Sequence, residues 1–518
     1  MESGARQKRF GGGVVKRFGE FIRSDFGVLA LIALVRLTFH LLTNGQYGFH
    51  RDELQTLDDA RHLDWGFVAY PLLTPLLGRI ELALFGTSLV GFRVFAALAV
   101  SISMVFAGLI AKELGGGRRV QVLAAIASGI SPVSLIQGAV MQYVSFDYLW
   151  GVLVTYLLVR LLNSDDPRWW VPIGVVLGVG METRFTIGFL ALGIVGAVVL
   201  TPLRRHLASK WLWFGVAASV LLFLPNVIWQ ANHQWIARDF LSYLHNRDSR
   251  QGRHKDFFLG QLLVDLNPVT VPLAVRGLWF FFFKRETRRY RFLGWVYVVS
   301  LLLFATLGAR SYYTAPLYPM LVAAGCVLFV SWANALKPFW SRVMYSVLST
   351  FLVVGGVGIA LLVTPVAPLG GAIWKVTSKV HDQFREEIGW PDQARIVAGV
   401  FHSLPAVERE QTGILTGNYG EGGALNLYGP ALGLPHAMSL TNSFWYRGYD
   451  PRLPQTVILV GFDLEEAQKL FDSCVVAAKN TNDLNVENEE SRDHPDILVC
   501  RGLRRSWPDY WGRARRFG

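Results

Sequence analysis

The sequence predicts a polytopic α-helical membrane protein of about 11 transmembrane helices, with a small C-terminal α/β domain outside the cytoplasm. Three observations lead there. Of 518 residues, 52% are hydrophobic and only 17% charged, with a mean hydropathy of +0.34, whereas soluble domains carry about 25% charge. Apolar runs of membrane-spanning length recur between residues 26 and 364. From 366 onward the chain turns polar, Gly and Pro become frequent, and no run is long enough to cross.

Residues 1–25 form a basic arm carrying Arg6, Lys8, Arg9, Lys16, Arg17 and Arg23, followed by the apolar run 26–42. This resembles a signal peptide in outline, but no small-x-small cleavage site follows, so a retained anchor with a cytoplasmic N-terminus is expected. The spans are expected at 26–43, 89–111, 120–138, 144–162, 169–182, 185–202, 211–229, 267–283, 292–308, 314–333 and 343–364. One straight helix over 169–202 would measure about 50 Å against a bilayer core of about 30 Å. Glu182, Thr183 and Arg184 lie at its centre, so it is split there.

Short cytoplasmic loops collect Lys and Arg, and the split satisfies that bias. With the N-terminus inside, the inside loops hold Lys112, Arg118 and Arg119; Arg160 and Arg168; Arg204, Arg205 and Lys210; Lys284, Arg285, Arg288, Arg289 and Arg291; and Lys337 and Arg342. An odd number of passes then puts residues after 366 outside. Topology also accounts for the net charge of +12, since the cations follow no nucleic-acid-binding motif and no nucleic acid partner is expected. Three units result: the arm 1–25, a membrane unit 26–365 with an outward loop at 44–88, and an outer unit 366–518.

Within the outer unit, 412–416 and 456–461 read as buried strands and 463–471 as a helix capped by Asp463. The acidic stretch 480–494 reads as a solvated loop. Cys326 lies in an apolar run, but Cys474 and Cys500 lie in the polar region and can pair if it is outside the cytoplasm. Arg504, Arg505, Arg513, Arg515 and Arg516 would be outside against the usual bias, from which long translocated domains are exempt; contact with anionic headgroups is the functional alternative.

Four further features face the outer side in this topology: 44–88, 182–184, 230–266 and 308–313. His50, Arg51, Asp52 and Glu53 open the first, and ionisable groups at a bilayer edge are more often functional than decorative. Asp52 is the candidate general base; equally, Arg51 and Asp52 are explained as a helix cap with interfacial pairing. Asp147, at the start of the run 144–162, suits either the helix dipole or the same cavity. A departing phosphate would need a cation, and Arg310, followed by Tyr312 and Tyr313, offers a bidentate guanidinium with phenol donors. Its bland counterpart is an interfacial anchor. Arg184, His254 and Lys255 are candidates of the same kind.

The histidines His50, His62, His233, His245 and His254 show no metal-ligand spacing such as HExxH. There is no Walker A sequence, GxSxG or Rossmann glycine fingerprint, so nucleotide hydrolysis and serine hydrolase chemistry are unsupported. An enzyme outside the cytoplasm lacks nucleotide sugars and would take its donor from the membrane.

Several motifs run in order along the chain: FHRDELQTLDDARHLDWGFV, PLLTPLL, GLIAKELGGGR, SFDYLW, LPNVIWQ, DLNP, SYYTAPLYPMLVAAG, GNYGEGGALNLYGPALGLP, NSFW and TVILVG. As a set they resemble the bacterial branch of the protein O-mannosyltransferase and lipid A aminoarabinose transferase superfamily, the GT-C glycosyltransferases of families 39 and 83. The resemblance implies a multispanning module in the bacterial inner membrane, with a periplasmic site using a polyprenyl-phosphate-linked sugar. It implies that Asp52, paired with Glu53, is the general base, that Asp147 is a second site acid, and that Arg310, Tyr312 and Tyr313 match the family's basic and tyrosine residues before the PLYP-like helix, many relatives carrying lysine in place of the arginine. The chain departs from the pattern at Ala69, Tyr70, Pro71 and Leu72, where relatives carry Glu-Lys-Pro-Pro or Asp-Gln-Pro-Pro. That loses an acid able to bind metal or acceptor, and involvement of a divalent ion stays open.

The expected activity is transfer of a sugar from a polyprenyl-phosphate carrier to an extracytoplasmic glycan, lipid or protein. A transporter or flippase of lipid-linked sugars would instead show paired repeats and mid-membrane charges. The remaining alternative is a non-catalytic protein that binds envelope glycans.

Overall fold

A computed structural model describes residues 23–253 and 255–518; Arg6, Lys8, Arg9, Lys16, Arg17 and His254 lie outside the described residues. Helices occupy the apolar runs: Asp25–Thr43, Val94–Glu113, Arg118–Gly129 with Pro132–Gln137, Tyr143–Ser164, Trp170–Met181, Ile187–Leu200, Lys210–Asn232, Val271–Phe282, Arg291–Thr306, Tyr318–Ala335 and Pro338–Val363. Among the described residues, six helices are long and apolar enough to cross a bilayer, or seven if the pair Ile187–Leu200 and Pro202–Ala208, bent by 105°, counts as one. The chain is therefore polytopic. The polar residues 182–184 do end one helix and precede another. The Thr183 hydroxyl takes the Trp150 indole N–H at 3.0 Å, which anchors that turn to the neighbouring helix Tyr143–Ser164.

The two ends of the bundle differ chemically. At one end the basic loops meet: Arg118 donates to Asp25 at 2.7 Å, Arg160 pairs with Glu113 at 3.3 Å, and the Tyr290 hydroxyl donates to Asn163 at 2.7 Å. Arg168 lies over Trp211 and Arg119 over Tyr345 there. The opposite end carries the loop helix Arg51–Arg61 and everything after residue 364. Between the ends, Val35, Leu221 and Val354 are each more than 60% exposed. Apolar side chains left open around a bundle match a lipid surface.

The last 150 residues build a five-stranded sheet from β1 (Thr412–Thr416), β2 (Ala437–Ser439), β3 (Thr456–Val460), β4 (Phe471–Lys479) and β5 (Asp496–Leu503), in the order β2-β1-β3-β5-β4. β2, β1 and β3 are parallel; β5 is antiparallel to both β3 and β4. Continuous apolar runs make β1 and β3 legible, because both faces are buried. β2 is only three residues long, and the edge strand β4 is largely exposed, so neither carries a strong pattern. Asp463 does precede the helix Leu464–Leu470, but its side chain makes no cap bond and instead meets His494 at 3.0 Å.

The helix Tyr419–Tyr428, called the roof helix below, connects β1 to β2 and packs on the loop helix. Close approach requires glycine: a β-carbon on Gly423 would stand 2.7 Å from the Leu54 carbonyl oxygen, and one on Gly420 2.9 Å from the Arg51 β-carbon. The stretch 480–494 corrects the expectation of a solvated loop. It contains the helix Glu489–Asp493, and Glu489 and Glu490 accept hydrogen bonds from Arg51 at 2.6 and 3.2 Å.

Cys474 and Cys500 face each other across β4 and β5 and are joined as a disulfide, 26 residues apart in sequence. Closing a loop of that size stabilises by about 3 kcal/mol. Cys474→Ser is therefore expected to lower the thermal midpoint of the detergent-purified protein by several degrees, measured by differential scanning fluorimetry. Reductant should lower the parent by the same amount and leave the variant unmoved.

Candidate active site

The loop helix is held in place by a dense set of buried polar contacts. His50 caps the loop helix: its Nδ1 accepts the Asp52 N–H at 3.2 Å, and its own N–H donates to Glu53 at 2.8 Å. Nδ1 is thus unprotonated, and burial pushes the imidazole below its usual pKa. Glu53 is wholly buried and takes Arg93 Nε at 2.8 Å, Arg93 Nη2 at 2.6 Å and the Met141 N–H at 2.7 Å. Arg93 also donates to the carbonyls of Asn44 and Gly48 at 2.9 Å and to Glu387 at 3.2 Å. Glu53 consequently does not face the cavity. Every oxygen it has is used to hold the loop, which corrects the expectation that it shares the chemistry.

Asp52 points the other way, into a cavity of about 1170 Å³. One carboxylate oxygen accepts the Tyr419 hydroxyl at 2.7 Å and the other the Gln142 amide at 2.8 Å, while about a third (36%) of the side chain remains exposed. Burial opposes charge on this carboxyl, but the charges and donors that face it hold it below the ordinary carboxylate range. Because His50 is neutral, Arg51, Tyr419 and Arg310 supply that effect.

Arg184, Arg310, Tyr312 and Tyr313 line the same cavity, joined by Tyr143 and by Arg238, Arg247 and Arg253. Arg184 is 8% exposed, and its guanidinium lies 4.3 Å from the Tyr313 ring centre, 4.8 Å from Tyr143 and 5.4 Å from Tyr312. Its Nη1 finds no hydrogen-bond acceptor among the described residues. Arg310 is not the lone cation its sequence context suggests: it grips Asp248 with two bonds of 2.7 and 3.0 Å, and Arg253 and Arg247 stand 3.5 and 3.7 Å from that same carboxylate. Three guanidiniums around one carboxylate leave a net positive patch, the electrostatics an anion needs.

Asp147 sits behind this patch, 5% exposed, taking the Thr186 hydroxyl at 3.2 Å with Arg184 at 3.8 Å. It orients Arg184 instead of lining the cavity. Lys255 is exposed and away from the lining. Sequence reasoning passed over Asp248, Gln142 and Tyr419. The arginine-dense run 238–253 was the visible signal for Asp248, whereas nothing local marked the other two.

At the point of departure, Ala69 and Tyr70 line the cavity, and the Tyr70 hydroxyl donates to Asp59 at 2.7 Å. Asp58 and Asp59 are buried and both hydrogen-bond Arg447 of the C-terminal α/β region. Burial raises Asp59 to about 7, against the pull of the Tyr70 bond. Among the described residues, no group of three or more His, Cys, Asp or Glu is placed to hold a metal ion.

Residues 69–229 match the family model described as dolichyl-phosphate-mannose-protein mannosyltransferase. Over 154 residues the chain is 30% identical to undecaprenyl phosphate-α-4-amino-4-deoxy-L-arabinose arabinosyl transferase 1 of Pseudomonas fluorescens; the match spans 28% of this chain and only 27% of that relative's length. The whole fold is similar to the crystal structure of ArnT from Cupriavidus metallidurans bound to undecaprenyl phosphate, with a TM-score of 0.56 and 14% identity over 92% of this chain and 98% of that one. It is also similar to the arabinofuranosyltransferase AftD from Mycobacteria, with a TM-score of 0.51 and 16% identity over 92% of this chain and 40% of that one.

Breaking a buried ion pair by removing one partner costs about 3–5 kcal/mol, because a charge is left stranded. Glu53→Gln and Arg93→Met are each expected to give protein that melts far earlier in detergent, as measured by static light scattering. The double variant should recover part of the loss.

Proposed function

We propose that this chain, which carries the fold of the GT-C glycosyltransferases, is an inverting membrane glycosyltransferase. It takes a sugar from a polyprenyl-phosphate carrier and delivers it to an extracytoplasmic glycan, lipid or protein. One observation carries the reading: an ionised carboxylate with free exposure and a cluster of guanidiniums and phenols open onto the same cavity at one end of an apolar bundle.

In this reading Asp52 removes the proton from the acceptor hydroxyl or amine as it attacks the anomeric carbon. The bond from that carbon to the phosphate oxygen breaks, and the lipid phosphate keeps the electron pair. Arg184 and Arg310, with Tyr312 and Tyr313, stabilise the charge gathering on it. Phe189, Phe223, Val227, Phe304 and Leu307 continue the lining toward the helices and suit an isoprenoid chain. Across the cavity, Asp382, Gln383, Asn442 and Glu489 offer hydrogen bonds to an acceptor.

The topology that fits this chemistry has eleven passes in a bacterial inner membrane, an arm at 1–25 in the cytoplasm, a membrane unit 26–365 and an outer unit 366–518. The gathering of the basic loops at the end remote from the cavity supports it, as does the disulfide in the outer unit.

Asp52→Asn is expected to lower release of undecaprenyl phosphate by about 10²–10⁴-fold in proteoliposomes supplied with undecaprenyl-phosphate-linked pentoses and hexoses. Undiminished turnover would refute the base assignment. Arg310→Gln should raise the apparent donor KM by about tenfold, the worth of one charge-assisted hydrogen bond, while leaving the acceptor KM within twofold. Because Asp52 is held below the ordinary carboxylate range, kcat/KM should stay flat through neutral pH and fall only as the solution becomes acidic enough to protonate it.

A further inference from the structure

Among the described residues, Tyr419 brings a phenol from the C-terminal region to Asp52, and its position is over-determined. Asn418 caps the roof helix: its side chain accepts the Gly420 N–H at 2.8 Å, and the Glu421 carboxylate takes the Asn418 N–H at 3.2 Å. The Gly417 N–H bonds the Val460 carbonyl at 2.8 Å, which ties this turn to the end of β3. The backbone contacts at Gly420 and Gly423 press the first turns of the roof helix onto the loop helix, so Tyr419 has little room to move. It is 7% exposed, yet its hydroxyl reaches the cavity edge.

We propose that Tyr419 is a positioning residue. Its hydroxyl, with the Gln142 amide on the second oxygen, fixes the Asp52 carboxylate in the rotamer that presents it to the acceptor. A half-open carboxylate on the first turn of a helix would otherwise turn about χ1 and χ2, and a base must sit within hydrogen-bond reach of the proton it takes. The outer unit is thereby part of the reaction centre. This rests on Asp52 being the base. Asp52 also faces His50 and Arg51 on its own helix, Tyr143 on the helix Tyr143–Ser164, and Arg310 on the 308–313 link.

Tyr419→Phe keeps the ring and removes only the hydroxyl. The expected result is a fall of about tenfold in kcat/KM, with the acid limb of the pH profile displaced upward by about one pH unit, because a donor to the charged form is lost. The donor KM should stay within twofold. The loss should also vanish in the Asp52→Asn background. A merely structural tyrosine would lower both backgrounds equally and leave the limb where it was, which would overturn the proposal. If Asp52→Asn keeps full turnover, the base reading falls and takes this one with it. If Asp52→Asn is inactive and Tyr419→Phe leaves the profile unmoved, only the positioning role falls. Should Tyr419→Phe not fold, 3-fluorotyrosine placed at position 419 keeps the hydroxyl. Its ¹⁹F resonance should follow an acidic titration that disappears in Asp52→Asn, and a resonance that ignores this pH range would equally defeat the proposal.

Discussion

The buried contact between Glu53 and Arg93 is what the rest of the site depends on. Both side chains are closed to solvent, and neither charge is tolerable alone. Arg93 spends its remaining donors on the Asn44 and Gly48 carbonyls and on Glu387, so a single guanidinium ties the loop, its own helix and the C-terminal region together. Neighbouring residues on a helix point about 100° apart, which means that locking Glu53 inward sends Asp52 outward. The pattern repeats across the gap: the Met141 N–H holds Glu53, and the next residue, Gln142, holds Asp52.

Around this anchor the cavity separates its charges by origin. Apart from Arg51 on the loop helix, the cations come from the turn at 184, the segment 238–253 and the link at 310. Arg184 faces three phenol rings, and its Nη1 makes no hydrogen bond among the described residues. In a low-dielectric setting such a group attracts an anion strongly and needs no reorganisation to do so. The carboxylates, Asp248 excepted, come from the loop helix and from the chain after residue 366. In the proposed reading, donor and acceptor approach from different sides, with Asp52 at the boundary.

Much of the membrane unit was legible because apolar runs and basic loops are local signals. The turn at 182–184 showed itself by length and charge, and β1 and β3 by their unbroken apolar runs. The pairings were not legible. Arg310 reads as solitary because its partner, Asp248, is 62 residues away, and Glu53 reads as an equal of Asp52 because sequence does not say which of two adjacent acids turns inward. β4 lies at an exposed edge and lacks the alternation that would reveal it. The glycines of the NYGEGG motif carried their information silently, as absent side chains where two helices touch.

The contact between Tyr419 and Asp52 joins residues separated by 367 positions, and this has a consequence for biosynthesis. The apolar helices end at Val363, and the roof helix begins 56 residues later, at Tyr419, so it leaves the ribosome after all of them. Throughout that interval the emerging polypeptide holds its basin uncovered, with the carboxylate at position 52 missing one of its two tethers. In the proposed reading, competence would therefore arrive only once the last segment has folded onto the loop helix and supplied that second tether.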